Sequence, residues 1–197
     1  SNGTTLGGEF RVNTETLNEQ SKAAIAMDSD GDFIVVWQGN QQIDYDIYAQ
    51  RYTSNGIKNG TEFLVNTETL KDQSNPSVAI DSDGDFVITW QSRDQDGSSG
   101  GIYAQLYNKN GTKKGGEFQV HTESRFYQAY PSVAMDSDGD FAIAWWSDVQ
   151  DGSIYGVYAQ LYNKDGSKNG TEFLVNTETY SAQSYPSISM DSDGDFV

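Results

Sequence analysis

One hexapeptide, DSDGDF, occurs four times in this chain, beginning at Asp28, Asp81, Asp136 and Asp191. Successive copies start 53, 55 and 55 residues apart. Self-similarity at such a period means a repeat architecture, in which each unit is a small supersecondary structure that buries its apolar surface against the next. Ser1-Asn2-Gly3 lines up with Ser54-Asn55-Gly56, Lys109-Asn110-Gly111 and Lys164-Asp165-Gly166. The units are therefore drawn at 1–53, 54–108 and 109–163, with a partial unit at 164–197. Both ends fall inside a unit, so the chain is expected to be a piece of a longer array.

Each unit reads as four short strands separated by turn-forming residues, an all-β signature, with no helical periodicity of useful length. In the second unit these are the Glu-Phe-x-Val run (Phe63 to Val65), the run from Ser77 to Ile80 after Pro76, the run from Phe86 to Trp90, and the run from Ile102 to Tyr107. The Asp-Gly inside DSDGDF joins the second strand to the third. That dipeptide is favoured in two-residue type I′ hairpins, whose central residues both take positive φ.

The third strand is the most informative. Phe86, Ile88 and Trp90 share one face, and Val87 and Thr89 the other. The first unit has Phe33, Val35 and Trp37 against Ile34 and Val36; the third has Phe141, Ile143 and Trp145 against Ala142, Ala144 and Trp146. A strand apolar on both faces is covered on both sides. Repeated four-stranded antiparallel sheets of that kind predict an all-β, β-propeller-like array of blades. A β-solenoid of stacked small sheets is the alternative; an immunoglobulin-like sandwich needs about 100 residues before it repeats. The end blades then need cover, from more of the repeat chain or from a second copy of it.

Charge narrows the partners. With 12 Lys and Arg against 29 Asp and Glu, the formal charge is −17, the wrong sign for nucleic acid or an anionic membrane. There is no cysteine for disulfides or thiolate metal sites, and no apolar run long enough to span a bilayer.

Ca²⁺ requires 6–8 oxygens at about 2.3–2.6 Å, and the acid-rich turns are the candidate donors: Asp28, Asp30 and Asp32; Asp81, Asp83 and Asp85; Asp136, Asp138 and Asp140; Asp191, Asp193 and Asp195. A hairpin alone needs only Asp-Gly, yet every copy keeps all three acids. The Trp37/Trp90/Trp145 and Tyr48/Tyr103/Tyr158 series read first as blade-to-blade packing, and second as sugar-stacking platforms with Gln38 and Gln91 as donors. Trp146 breaks the pattern on the face that carries Val36 and Thr89 in earlier copies, and is the best candidate for an exposed, ligand-binding aromatic. His121, the one histidine, stands where Asn13, Asn66 and Asn176 stand in other units and is read as structural. No nucleophile elbow accompanies it. A catalytic carboxylate pair would break the repeat symmetry, and these acids mostly obey it. The Asn-Gly-Thr triplets at Asn2, Asn59, Asn110 and Asn169 read as turns.

The Ser-Val-Ala-Met-Asp-Ser-Asp-Gly-Asp-Phe run, with Ile-Tyr-Ala-Gln-x-Tyr and Glu-Phe-x-Val-Asn, resembles a tandem repeat of large bacterial secreted and surface proteins. The resemblance spans nearly the whole chain. A looser similarity links it to integrin-type propeller repeats, whose Asp-rich loops hold calcium; here the glycine follows the second Asp instead of the third. The resemblance implies a secreted or cell-surface, non-enzymatic structural or adhesive module stabilised by Ca²⁺. The alternative is a carbohydrate-binding propeller with glycans as partners. If the turns bind Ca²⁺, thermal melting with the ion and with a chelator will differ, since a ligand at 100 times its Kd adds about 2.7 kcal/mol per site; superimposable curves contradict the expectation.

Overall fold

The computed structural model describes residues 7–41, 43–97, 99–152 and 154–197. The opening Ser1-Asn2-Gly3 turn, with its Asn2 triplet, lies outside the described residues. Among the described residues twelve strands make three four-stranded antiparallel sheets, and there is no helix. The first sheet holds β1 (Gln20–Met27), β2 (Phe33–Gly39), β3 (Asp46–Tyr52) and β4 (Phe63–Leu64). The second holds β5 (Gln73–Ile80), β6 (Phe86–Ser92), β7 (Gly101–Tyr107) and β8 (Lys113–Gln119). The third holds β9 (Gln128–Met135), β10 (Phe141–Asp148), β11 (Tyr155–Tyr162) and β12 (Lys168–Leu174). Strands lie in chain order within each sheet.

Sheet and sequence repeat are out of phase. The Glu-Phe-x-Val run, read from sequence as the opening strand of a unit, closes the preceding sheet: Phe63 pairs with Ala49, and Phe118 with Ala104. The cause is local. The amide of Asn108 bonds the carbonyl of Thr112 at 2.9 Å, and Gly111 bonds back to Asn108 at 2.8 Å, so the chain returns directly onto β7. A short loop closes at less entropic cost than a reach to another sheet. The corresponding first run, residues 8–13, lies against the first sheet without a strand of its own, with the Phe10 ring 5.4 Å from that of Tyr52.

The sheets stack face to face as expected from β2, β6 and β10. Ile34, Val36, Ile47 and Ala49 of the first sheet bury against Phe86, Ile88, Trp90 and Tyr107 of the second. Val87, Ile102 and Ala104 of the second then meet Phe141, Ile143, Trp145 and Tyr162 of the third. The Trp37, Trp90 and Trp145 series is buried throughout, which settles its role as packing. Three polar contacts recur at each junction. Tyr52, Tyr107 and Tyr162 hydroxyls donate to the carbonyls of Val12, Val65 and Val120 at 3.5, 3.4 and 3.2 Å. The amides of Thr14, Thr67 and Thr122 donate to Glu62, Glu117 and Glu172 at 2.8, 2.8 and 2.9 Å. The third contact, between DSDGDF turns, is described below. The opening strands β1, β5 and β9 lie beside one another along a common groove, so the array is propeller-like, with those strands innermost.

Candidate functional site

Two rims lie at opposite ends of the innermost strands. The DSDGDF turns form one. In each, Oδ1 of the first aspartate accepts backbone amides from its own loop: Asp28 from Asp30 and Asp32 at 3.0 and 2.9 Å, and Asp81 from Asp83 and Asp85 at 2.9 and 2.9 Å. Asp136 accepts from Asp138, Gly139 and Asp140 at 2.9, 2.8 and 2.9 Å, and Asp191 from Asp193 and Asp195 at 3.0 and 3.0 Å. This capping corrects the expected type I′ hairpin. Asp81 N bonds Asp85 O at 2.9 Å, leaving a three-residue loop in which only Gly84 takes positive φ, 90°. That is the type I turn followed by a left-handed glycine seen in three-residue hairpins.

The third aspartate ties each turn to the next hairpin. Oδ1 of Asp32, Asp85 and Asp140 accepts the amides of Ser54, Lys109 and Lys164, each at 2.9 Å. The second, Asp30, Asp83, Asp138 or Asp193, is exposed. Turn is joined to turn by serines: Ser29, Ser82 and Ser137 hydroxyls donate to the carbonyls of Ser82, Ser137 and Ser192 at 3.3, 2.6 and 2.8 Å. Burial pushes the Asp81 carboxyl up, against the amide hydrogen bonds that lower it. Two of the remaining oxygens face lysines, with Lys109 Nζ 3.7 Å from Asp28 Oδ2 and Lys114 Nζ 3.7 Å from Asp85 Oδ2. Among the described residues no three acidic or histidine side chains converge as a metal-holding group.

The other rim is where the repeats differ. One innermost-strand position reads Lys22, Asn75, Tyr130 and Tyr185, and a second reads Glu19, Asp72, Tyr127 and Ala182. Lys22, Asn75 and Tyr130 sit at bulges of β1, β5 and β9, and with Tyr185 they share left-handed φ of 55°, 52°, 53° and 56°. For tyrosine that is a strained backbone, of a kind that concentrates at functional sites. These four residues, with Pro76, Pro131 and Pro186, line an open axial groove of about 420 Å³. Beside it, between the second and third sheets, lies a cleft of about 370 Å³ walled by Asp72, Asn75, Gln91, Arg93, Tyr127 and Tyr130.

Trp146 is not the exposed aromatic expected. It stands in register with Gln91 and Gln38, facing Ala129 on β9, and is only 7% accessible. It lies among Tyr155, Tyr127 and Tyr130, with ring centroids 4.4, 5.5 and 6.1 Å away, the last nearly parallel. On β10 this indole is roofed by the tyrosines that the same unit carries. The exposed ring is Tyr185, 66% accessible, edge-on to Tyr130 at 4.4 Å. Its hydrogen bond pushes the Tyr130 phenol above its ordinary value. These residues went unremarked in the sequence, although aligning the copies marks them as the places where the copies disagree.

His121 fastens the loops behind the cleft, and it copies an asparagine. In the other sheets Asn66 and Asn176 Oδ1 accept the amides of Ile47 and Val157, each at 2.7 Å, and Asn66 Nδ2 donates to Asp46 at 2.7 Å. His121 Nδ1 accepts the amide of Ile102 at 3.1 Å, so the neutral ring carries its proton on Nε2, 2.8 Å from Asp96 Oδ2.

Solved structures similar to this chain include enzymes named for carbohydrate. An endo-arabinase from Bacteroides thetaiotaomicron superposes with a TM-score of 0.58 at 16% identity, over 95% of this chain and 72% of that one. A thermostable family-43 glycoside hydrolase gives 0.53 at 13%, over 87% and 62%. An N-acetylgalactosamine deacetylase from F. plautii, in complex with blood group B trisaccharide, gives 0.52 at 10%, over 90% and 59%. The chain thus spans part of the length of each. At these identities the likeness shows the fold, that of propeller-fold enzymes. No protein-family model matches the chain, and no curated protein matches it in sequence.

These neighbours overturn two expectations, that the chain is a non-enzymatic structural or adhesive module and that it is no enzyme. Both rested on the symmetry of the acidic turns, whereas the asymmetry lies on the opposite rim. His121→Asn is expected to cost less than about 1 kcal/mol, because asparagine already fills this role twice, whereas His121→Ala strands the Ile102 amide at about 1–3 kcal/mol. Urea melts of both variants check this; an asparagine variant as damaged as alanine contradicts it.

Proposed function

We propose that this chain is a carbohydrate-active propeller segment that engages a glycan across the rim opposite the DSDGDF turns. The observation that carries this reading is the placement of the differences between copies. One rim is built from repeated turns, whereas the other gathers Lys22, Asn75, Tyr130 and Tyr185 around one groove. Aromatic surface beside amide and charged groups is the chemistry that holds sugars: a polarisable face for C–H groups and directional partners for hydroxyls. The named activities of the structural neighbours support the substrate class. Acids available there for general acid–base chemistry are Glu19 and Asp72, which flank Tyr45: its hydroxyl donates to Glu19 at 2.8 Å and its amide to Asp72 at 3.1 Å. Glu19 and Asp72 hold one repeat position that becomes Tyr127 and Ala182 in the later copies, so acids stand there in the first two units only.

The same reading takes the chain as part of a secreted or surface repeat protein of the bacterial type it resembles. The sequence units are then the blocks of the array, and its end sheets are covered by more of that chain or by a second copy.

Affinity electrophoresis through gels containing arabinan and other polysaccharides tests the proposal, with released oligosaccharides as a second readout. Retardation by at least one polymer is expected. Tyr185→Ala should weaken it about tenfold, as expected for a lost stacking face, and Ser82→Ala on the other rim should leave it unchanged. No retardation by any polymer, or a loss caused by Ser82→Ala alone, contradicts the proposal.

A further inference from the structure

The cleft between the second and third sheets has a composition that selects a ligand. Its volume, about 370 Å³, lies at the small end of the roughly 300–1,000 Å³ typical of small-molecule sites. Its charges cancel in place. Arg93 Nη1 is 3.7 Å from Asp72 Oδ2, with side chains 62% and 40% accessible, so both still face solvent. A carboxylate beside a guanidinium presents acceptors and donors side by side without net charge. Neighbouring hydroxyls, each able to donate and accept, match that arrangement.

From the same sheet a polarised chain of hydrogen bonds runs across the cleft to Tyr127. Asn75 Nδ2 donates to Gln91 Oε1 at 3.1 Å, and Gln91 Nε2 donates to the Tyr127 hydroxyl oxygen. The Tyr127 proton is then left to donate elsewhere. Asn75 is itself held in place, by its left-handed φ of 52° and by its amide bond to Gln38 Oε1 at 3.1 Å. Tyr130 lines both the cleft and the axial groove and is backed by Trp146, near-parallel at 6.1 Å. The junction of the first and second sheets has no counterpart: there Asp72 and Asn75 stand where Tyr127 and Tyr130 stand, and Gln91 replaces Trp146.

We infer that this cleft binds one uncharged sugar residue of the glycan, with adjacent hydroxyls on Asp72 and Arg93 and its ring against Tyr130. The inference rests on the carbohydrate reading above and adds the subsite and the class of sugar. Anionic sugars are disfavoured twice, because Arg93 is already neutralised and because the chain carries a net charge of −17.

Isothermal titration with linear oligosaccharides of arabinose, xylose, glucose and galactose, and of galacturonic acid, tests it. The best neutral ligand should bind at least about tenfold more tightly than the galacturonic acid series. Arg93→Ala, at a largely exposed position where folding is not at risk, should weaken that ligand about tenfold to a hundredfold, the range for hydrogen bonds to charged groups. Arg93→Lys should recover little of this, because lysine lacks the planar fork. If neutral sugars bind, Tyr185→Ala weakens them and Arg93→Ala does not, the cleft is not the subsite although the rim reading stands. Preference for galacturonic acid overturns the class of sugar, and binding of none of the five series overturns both readings.

Discussion

The middle strand of every sheet lacks a wet side, and the rest of the architecture follows from that. Phe86, Ile88 and Trp90 need one neighbour and Val87 another, and both are supplied by sheets of the same kind. Burying a large apolar side chain is worth about 1.5–3 kcal/mol, so a lone four-stranded sheet of this composition would expose too much to persist. Stacking also turns the strands edge-on to a common axis, which brings β1, β5 and β9 together although they are more than 50 residues apart in sequence.

That stacking divides the labour between the two rims. The DSDGDF turns must repeat, because each performs the same three tasks in the same geometry. Its first aspartate caps its own loop, its serine bonds the next loop, and its third aspartate anchors the neighbouring hairpin. The opposite rim has repeated bonds of its own, donated by the amides of Thr14, Thr67 and Thr122 and accepted by Asn66, His121 and Asn176, but beside them one backbone position carries three kinds of side chain, Lys22, Asn75, and Tyr130 and Tyr185. Divergence is tolerated there, and the left-handed backbone holds those side chains toward the groove.

Much of the fold was legible because its causes are local. Two-faced apolarity in five residues and a turn dipeptide are enough to call for stacked antiparallel sheets. The turn type was misjudged because Asp-Gly carries a strong hairpin preference of its own, whereas here the Asp81 carboxylate, two residues before Asp83, selects a type I turn. The exposure of Trp146 was misjudged because its cover comes from Tyr127, Tyr130 and Tyr155, on strands or loops apart from its own. Recurrence drew attention to the acidic turns as the site. Departures from the repeat, such as Asp72, Arg93 and Tyr130, gather on the opposite rim and show only when the copies are aligned.

The division between rims is the central claim, and amide hydrogen exchange with and without a saturating oligosaccharide tests it most directly. The account predicts slowed exchange at residues 72–75, 91–93 and 127–130 and around Tyr185, with residues 28–33, 81–86 and 136–141 unchanged. Protection confined to the DSDGDF turns would contradict it.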